Sequence, residues 1–406
     1  MGCVSGLRCV VCGQEAPAPV SAGTCRRCDD PSAVLELVFD LESAARSLTV
    51  EALAKRPRNL WRYAELLPVE PDEVSVRWPV GWTPLVDAPR VAEWAGIGDL
   101  RLKDDSRNPT ASFKDRASSV GVVHALAQGA THIACASTGN AASSLAGFAA
   151  MAGLPATIFV PRTAPEPKLA QLLVHGADVR RVRGTYAQAY DLCSAECEEH
   201  DWYNRNCAIN PYLVEGKKTC GLELAEQTMQ RPLDWVAVSV GDGCTIAGVG
   251  RGLQEMAALG FIERVPRLLG VQAAGVHPIQ AAFETGELPA PGAAATSGAT
   301  MADSIDVPVP RNWRKACQRV RETGGTFCSV DDEEIGAAMQ ALGTRAGVFA
   351  EPAAACAVAG VRRAVLDGVI APGEAVAAVI TGSGLKDIRG AMAVVGQPTE
   401  VEPIIE

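Results

Sequence analysis

The residue with the clearest chemical potential is a lysine placed where a turn becomes a helix. Lys114 lies in Ser112-Phe113-Lys114-Asp115-Arg116, behind Asn108-Pro109-Thr110. The positive end of a helix lowers the proton affinity of an amine held there, and a neutral amine can attack an aldehyde. Alone, such a lysine is more often a solvated surface charge. Ser137-Thr138-Gly139-Asn140 follows an apolar run and opens a small-residue segment. Free N–H groups there suit a carboxylate, and an ordinary helix cap is an equal alternative. Gly241-Asp242-Gly243-Cys244-Thr245 is a third such loop. Its glycines would let backbone N–H groups close around a phosphate, although it lacks the G-x-G-x-x-G pattern of dinucleotide sites. Thr381-Gly382-Ser383-Gly384-Leu385-Lys386-Asp387 is a fourth hydroxyl-bearing loop, or else a plain polar turn.

A separate chemistry is written at the N-terminus. Cys9-Val10-Val11-Cys12 and Cys25-Arg26-Arg27-Cys28 are two C-x2-C knuckles with twelve residues between them. Two such knuckles supply four thiolates for a closed tetrahedral zinc site, which is structural because no position stays open for substrate. The alternative is a reduced or disulfide-linked hairpin. So short a segment buries little core, and metal would supply its stability. The other cysteines, such as Cys135, Cys220 and Cys356, lie in apolar surroundings and read as small core residues of a protein kept reduced.

The elements that must position these loops alternate. Strands are expected at 100–103, 132–136, 156–160, 179–182, 235–240, 268–272 and 375–380. Helices are expected at 115–128, from the Ser137 loop to Gly153, at 168–175, 185–199 and onward from Ile246. Strand-helix alternation implies parallel sheets covered on both faces, with ligands outside the carboxyl ends of the strands. Residues 35–41 read as a strand after the knuckles and residues 42–75 as an arm, while the Pro/Ala/Gly-rich stretch 288–298 reads as a surface loop or flap. The expected division is a zinc-ribbon segment at 1–45, an arm and first part of a large domain at 46–117, a small α/β domain at 118–222, and the rest of the large domain at 223–406.

A net charge of -10 disfavours a nucleic-acid surface, which needs a basic face. No charged region followed by a long apolar run opens the chain, and no stretch approaches the roughly 18 apolar residues of a membrane span. A cytoplasmic protein with no membrane or nucleic-acid partner is expected, and a homodimer is the common state of such enzymes.

In order along the chain, Trp61-Arg62-Tyr63 with Leu66-Leu67-Pro68, Gly81-Trp82-Thr83-Pro84-Leu85, Asn108 to Arg116, Ala136 to Asn140, Asn210-Pro211 with Glu215-Gly216, and Gly384-Leu385-Lys386-Asp387 resemble the threonine synthase family. That family lies within the tryptophan-synthase-like, fold type II enzymes that use pyridoxal 5'-phosphate. The resemblance implies an α/β fold of two doubly wound domains with parallel or mixed sheets, and a lyase or synthase acting on an amino acid. Lys114 would hold the cofactor as a Schiff base, and Asn140 would bond its phenolic oxygen. Gly241, Asp242, Gly243, Cys244 and Thr245 would cradle its phosphate, with Thr381 facing the pyridine nitrogen. Ser137, Thr138 and Gly139 would take the substrate carboxylate.

Positions where the family grips the phosphate of O-phosphohomoserine differ here. The Thr after the Ser137 loop is Ala141, the Asn and Ser before Asn-Pro are Cys207 and Ala208, the Arg after it is Leu213, and the Asn of the glycine loop is Asp242. Loss of an Arg–phosphate fork removes a charge-assisted contact, and a new carboxylate repels a dianion. The expectation is therefore a retained cofactor and an altered substrate, with Asp242 meeting an amine or hydroxyl. The alternatives are threonine synthase activity with phosphate held by Lys103, Lys217 or Arg107, and a non-catalytic subunit of the same fold.

Overall fold

The computed structural model describes residues 3–17, 24–162, 164, 166–207 and 209–403, so Ala208 lies outside the described residues. A three-stranded antiparallel sheet in the order β2-β1-β3 holds the cysteine knuckles. It comprises β1 (Val4–Cys9), β2 (Glu15–Ala16) and β3 (Leu35–Phe39). The main strands are β4 (Leu85–Asp87), β5 (Asp99–Asp104), β6 (Ile133–Ala136), β7 (Ala156–Pro161), β8 (Asp178–Val182), β9 (Tyr203–Asn204), β10 (Trp235–Ser239), β11 (Arg267–Ala273), β12 (Thr326–Val330) and β13 (Ala375–Ile380).

Two further sheets follow from them. One has the order β12-β11-β10-β13-β5-β4, parallel except for β4 at its edge. The other is parallel in the order β8-β7-β6-β9. Successive side chains of a strand point to opposite faces, and both faces here are apolar. Trp235, Ala237, Val376, Ala378 and Ile380 enter one core, beneath the helix Pro352–Leu366. Val236, Val238, Ala377 and Val379 enter the other, beneath Pro211–Gln227 and Cys244–Ala258. Such strands read as nearly continuous apolar runs. The expected α/β architecture of parallel and mixed sheets beside a small cysteine-bearing sheet is what the chain adopts.

Elements without a sequence signature were the ones not anticipated. Strand β9 has only two residues, and β12 (Thr-Phe-Cys-Ser-Val) mixes polar and apolar side chains. Within 288–298, read as loop or flap, the segment Ala294–Ser297 is a short helix with Ala295 and Thr296 buried.

The helix Pro211–Gln227 lies between Lys114–Ala127 and Cys244–Ala258, and glycine sets both spacings. A Cβ on Gly216 would stand 2.0 Å from the carbonyl oxygen of Arg116, and one on Gly221 2.1 Å from that of Val249. The small sheet docks on the same helix. Tyr212 completes its core beside Leu7, Leu37 and Phe39, and the Lys218 ammonium lies 3.7 Å from the centre of the Phe39 ring. Lys315 donates to the carbonyl of Leu35 at 2.6 Å, and Arg319 pairs with Glu36 at 2.9 Å. Among the described residues, no helix is long and apolar enough to cross a membrane. Overpacking a close-packed contact costs about 1–3 kcal/mol, so Gly216→Ala should lower the unfolding free energy by the upper part of that range, read as a fall in the urea midpoint. An unchanged midpoint would show that the helices can separate freely.

Candidate active site

Lys114 is the first residue of its helix, and the turn before it is pinned from the far end of the chain. The N–H of Phe113 donates to the carbonyl of Thr381 at 2.8 Å, and that of Ser383 donates to the carbonyl of Ala111 at 3.1 Å. Ala111 has φ 62, in the left-handed region that favours glycine, so the turn is held under strain. Behind it, the Asp115 carboxylate accepts from the Thr110 N–H at 2.6 Å. The turn at Lys114 and the loop at Thr381 are thereby one unit, both at the carboxyl ends of parallel strands β5 and β13.

The other loops converge from β6 and β10. Asn140 opens the helix Asn140–Ala152, with Gly139 before it in extended conformation and no side-chain cap. The hydroxyl of Ser137 instead accepts from the N–H of Gly139 at 3.2 Å. The simple capping alternative therefore does not describe this turn. Gly243 precedes the helix Cys244–Ala258 with φ 95, and a Cβ on it would stand 2.8 Å from the carbonyl oxygen of Asn312, so only glycine fits. The first-turn N–H groups of that helix have no intrahelical acceptor and can face an anion. Ser137, Thr138, Gly139, Gly241, Asp242, Thr245 and Thr381 are each partly accessible, as cleft residues are.

Asp242 is turned away from the expected role. Its carboxylate accepts from the Arg311 N–H and from Asn312 Nδ2, both at 2.8 Å, and lies 3.1 Å from Cys244 Sγ. It staples the glycine loop to the helix Trp313–Glu322, which leaves its backbone for a phosphate and its side chain with no free oxygen for a substrate amine. Lys103 is likewise committed, fully buried and paired with Glu223 at 2.7 Å. Arg107 is exposed beside Asp104. Leu213 is fully buried against the Lys114 helix, where a Cβ on Gly121 would stand 2.3 Å from its Cδ2.

Lys217, by contrast, belongs to the neighbourhood of Lys114. Burial and then the Lys217 charge lower Lys114 to about 8, while nearby thiols at Cys207 and Cys244 act the other way. Among the described residues the Lys114 amine has no hydrogen bond or ion pair. A desolvated, unpartnered amine near neutrality is what a covalent aldehyde anchor requires. With the glycine cradle of 241–245, the chain's own groups fit pyridoxal phosphate.

Glu351 was not anticipated. It is buried, its burial raises its proton affinity, and both its oxygens accept from Asn140 Nδ2 at 2.9 and 3.0 Å. Its N–H donates to the carbonyl of Gly382 at 3.1 Å. One carboxylate thus links the Asn140 and Thr381 loops. Glu351-Pro352 at the head of an alanine-rich helix was the only available signal.

In the small sheet, the sulfurs of Cys9, Cys12, Cys25 and Cys28 lie within 4.8 Å of one another. Cys9 to Cys28 is 4.0 Å and Cys12 to Cys25 is 3.8 Å. Four sulfurs around a zinc at about 2.3 Å would be about 3.8 Å apart, so the cluster fits a metal and excludes the disulfide alternative in this arrangement.

This combination of strand order and loops is that of a fold type II pyridoxal-phosphate enzyme. Residues 76–382 match the family described as pyridoxal-phosphate dependent enzyme. A protein of Methanosarcina acetivorans named threonine synthase is 38% identical over 402 residues, covering 98% of this chain and 96% of its own. A threonine synthase of Methanocaldococcus jannaschii is 34% identical, covering 97% and 96%. Among solved structures, threonine deaminase isoform 2 of Solanum lycopersicum superposes with a TM-score of 0.67 at 20% identity, covering 78% of this chain and 88% of that one. The chain belongs to the threonine synthase family of pyridoxal-phosphate-dependent enzymes.

With a folded-state value of about 8, Lys114 is mostly protonated below that pH and mostly neutral above it. Covalent capture of added cofactor by apoprotein should therefore speed up with pH and level off above about 8, falling roughly tenfold per unit below. Lys114→Ala should abolish the visible absorbance of bound cofactor, and persistence of that band would remove Lys114 from the anchor role.

Proposed function

We propose that the chain is a threonine synthase, releasing phosphate from O-phosphohomoserine and forming threonine. The observation that carries this reading is the unpartnered Lys114 amine at the meeting of four loops, in a chain alike over nearly its whole length to proteins of that name. When bound, pyridoxal phosphate makes the substrate Cα–H acidic by withdrawing its electrons. The backbone N–H groups from Gly241 to Thr245 would hold the cofactor phosphate. Asn140, kept in place by Glu351, would bond the ring oxygen, and the Thr381 hydroxyl would face the ring nitrogen. A hydroxyl there does not hold a proton as a carboxylate would, which tempers electron withdrawal and favours loss of a leaving group. Ser137, Thr138 and Gly139 bind the substrate carboxylate with the first turn of their helix. Once released by substrate, the Lys114 amine takes and returns protons at Cα and its neighbours.

A second reading, an amino-acid lyase or synthase with a different substrate side chain, is favoured by Ala141, Cys207 and Leu213 in place of the family's polar grip. The remaining features of the proposal are a zinc ion in the cysteine cluster and a homodimer in the cytoplasm. Fourteen cysteines, all unpaired, suit a reducing compartment. The division at 1–45, 46–117, 118–222 and 223–406 also stays part of this reading, supported by the three separate sheets.

Purified holoenzyme given O-phosphohomoserine should release threonine and inorganic phosphate in equal amounts, with kcat/KM of about 10⁴ M⁻¹s⁻¹ or more. No turnover of it, with turnover of another amino acid, would transfer the assignment to the second reading. Metal analysis should return one zinc per chain. Cys12→Ser should lose it and lower thermal stability without removing the cofactor band, and full metal-free stability would sink the structural-zinc assignment.

A further inference from the structure

Two buried cations near Lys114 lack the carboxylate partner that most enclosed cations of the described interior have. Lys103 and Arg116 meet Glu223 and Asp105, and Lys218 meets Glu215 and Glu255. Lys217 is 3% exposed and Arg205 2%, yet among the described residues neither forms an ion pair with a carboxylate. Lys217 Nζ donates to Cys207 Sγ at 2.9 Å. Arg205, two residues before Cys207, reaches Ser118 Oγ through Nη2 at 2.9 Å, and its buried Nε has no hydrogen-bond partner. Both cations act on Lys114 and on Cys207 through their fields. The Cys207 thiol is held well below its ordinary range by Cys244, Lys217 and Arg205.

A charge taken out of water without a counter-ion costs several kcal/mol. Two of them near one sulfur, neither paired with a carboxylate among the described residues, suit an added anion. The cofactor's phosphate already has a place, in the backbone cradle at 241–245. The position of Lys217 points to the substrate. It lies four residues after Leu213, which stands where the family carries an arginine, and positions four apart share a helix face. Leu213 is packed against the Lys114 helix, so the charge absent there returns one turn further along.

We propose that Lys217 and Arg205 form the subsite for the phosphate monoester on the substrate's side chain, with the Cys207 sulfur beside Lys217. This inference rests on the proposed reading that the substrate is phosphorylated. It makes Lys217 a specificity-determining residue of this chain and relocates the anion grip from the 207–213 segment to the next turn of the helix.

The test uses holoenzyme, wild type against Lys217→Met and Lys217→Arg, with the cofactor band and thermal midpoint as checks of integrity. Lys217→Met should raise KM for O-phosphohomoserine by about 10- to 150-fold, the value of a charge-assisted contact, and Lys217→Arg should recover most of it. Independently of turnover, inorganic phosphate should slow alkylation of Cys207 by iodoacetamide, followed by peptide mass spectrometry, in wild type but not in Lys217→Met. Protection by phosphate in a wild type that leaves O-phosphohomoserine unused would support the anion subsite while sinking the threonine synthase reading. Turnover of O-phosphohomoserine with KM within about threefold of wild type in Lys217→Met overturns the subsite and leaves that reading standing. Loss of the cofactor band in Lys217→Met also overturns it, since Lys217 would then serve the cofactor's own phosphate.

Discussion

The arrangement depends on one buried ionic network just behind Lys114. Arg116 is fully enclosed and meets Asp105 at 2.6 Å and Glu223 at 2.6 Å. Lys103 meets Glu223 at 2.7 Å, and the Thr83 hydroxyl donates to Asp105 at 2.7 Å. Two cations face two carboxylates, and their mutual attraction keeps Glu223 ionised down to about 2 despite its burial. Because charge and hydrogen bonds both balance, the network can persist where an unpaired ion could not. It joins the end of β5, the first turn of the Lys114 helix and the middle of the helix Pro211–Gln227. Arg116 is two residues from Lys114, so whatever fixes the guanidinium fixes the direction in which the anchor amine leaves the helix.

The surroundings of Lys114 contrast with that network. Two residues separate Arg116 of the saturated cluster from an amine that has no partner among the described residues, and Lys217 adds a like charge to the desolvation. A lysine given a carboxylate here would stay protonated and inert toward an aldehyde. Glu351, whose buried carboxyl feels the Lys114 charge, is instead engaged by Asn140 and pushed toward its protonated form by burial. The chain thus keeps acidic groups near the cleft but spends their hydrogen bonds on holding loops together.

How much of this was legible in the sequence follows from the range of the interactions. The strands and the four loops were readable because apolar runs ending in glycine and hydroxyl residues are local signals. The cysteine pairs were readable for the same reason, since their spacing encodes a geometry. What could not be read was charge partnership. Lys103, Arg107 and Lys217 looked interchangeable as phosphate ligands, and only the fold shows that Lys103 is taken by a carboxylate 120 residues away. Asp242 seemed a new charge for substrate, yet its acceptors are filled by residues 311 and 312, some 70 positions on. Glu351 was invisible because its partner is 211 residues distant. Each misreading is a long-range pairing that overrides a short-range pattern.

The helix Pro211–Gln227 explains how a distant ribbon and the cleft can share one rigid frame. Successive residues of a helix point about 100° apart, so neighbours in sequence serve different partners. Tyr212 enters the core of the small sheet, and Leu213 packs toward the Lys114 helix. Lys217 reaches the Cys207 sulfur, while Lys218, the next residue, lies over Phe39 of the small sheet. Gly216 and Gly221 let the helix sit close to both neighbours, and Glu223 closes the ionic network. A helix held on every side cannot shift at one contact without straining the others, because close-packed interiors move between discrete arrangements rather than deform smoothly. The cysteine-bearing sheet therefore packs on one side of the same helix that carries Lys217 toward Cys207 on another.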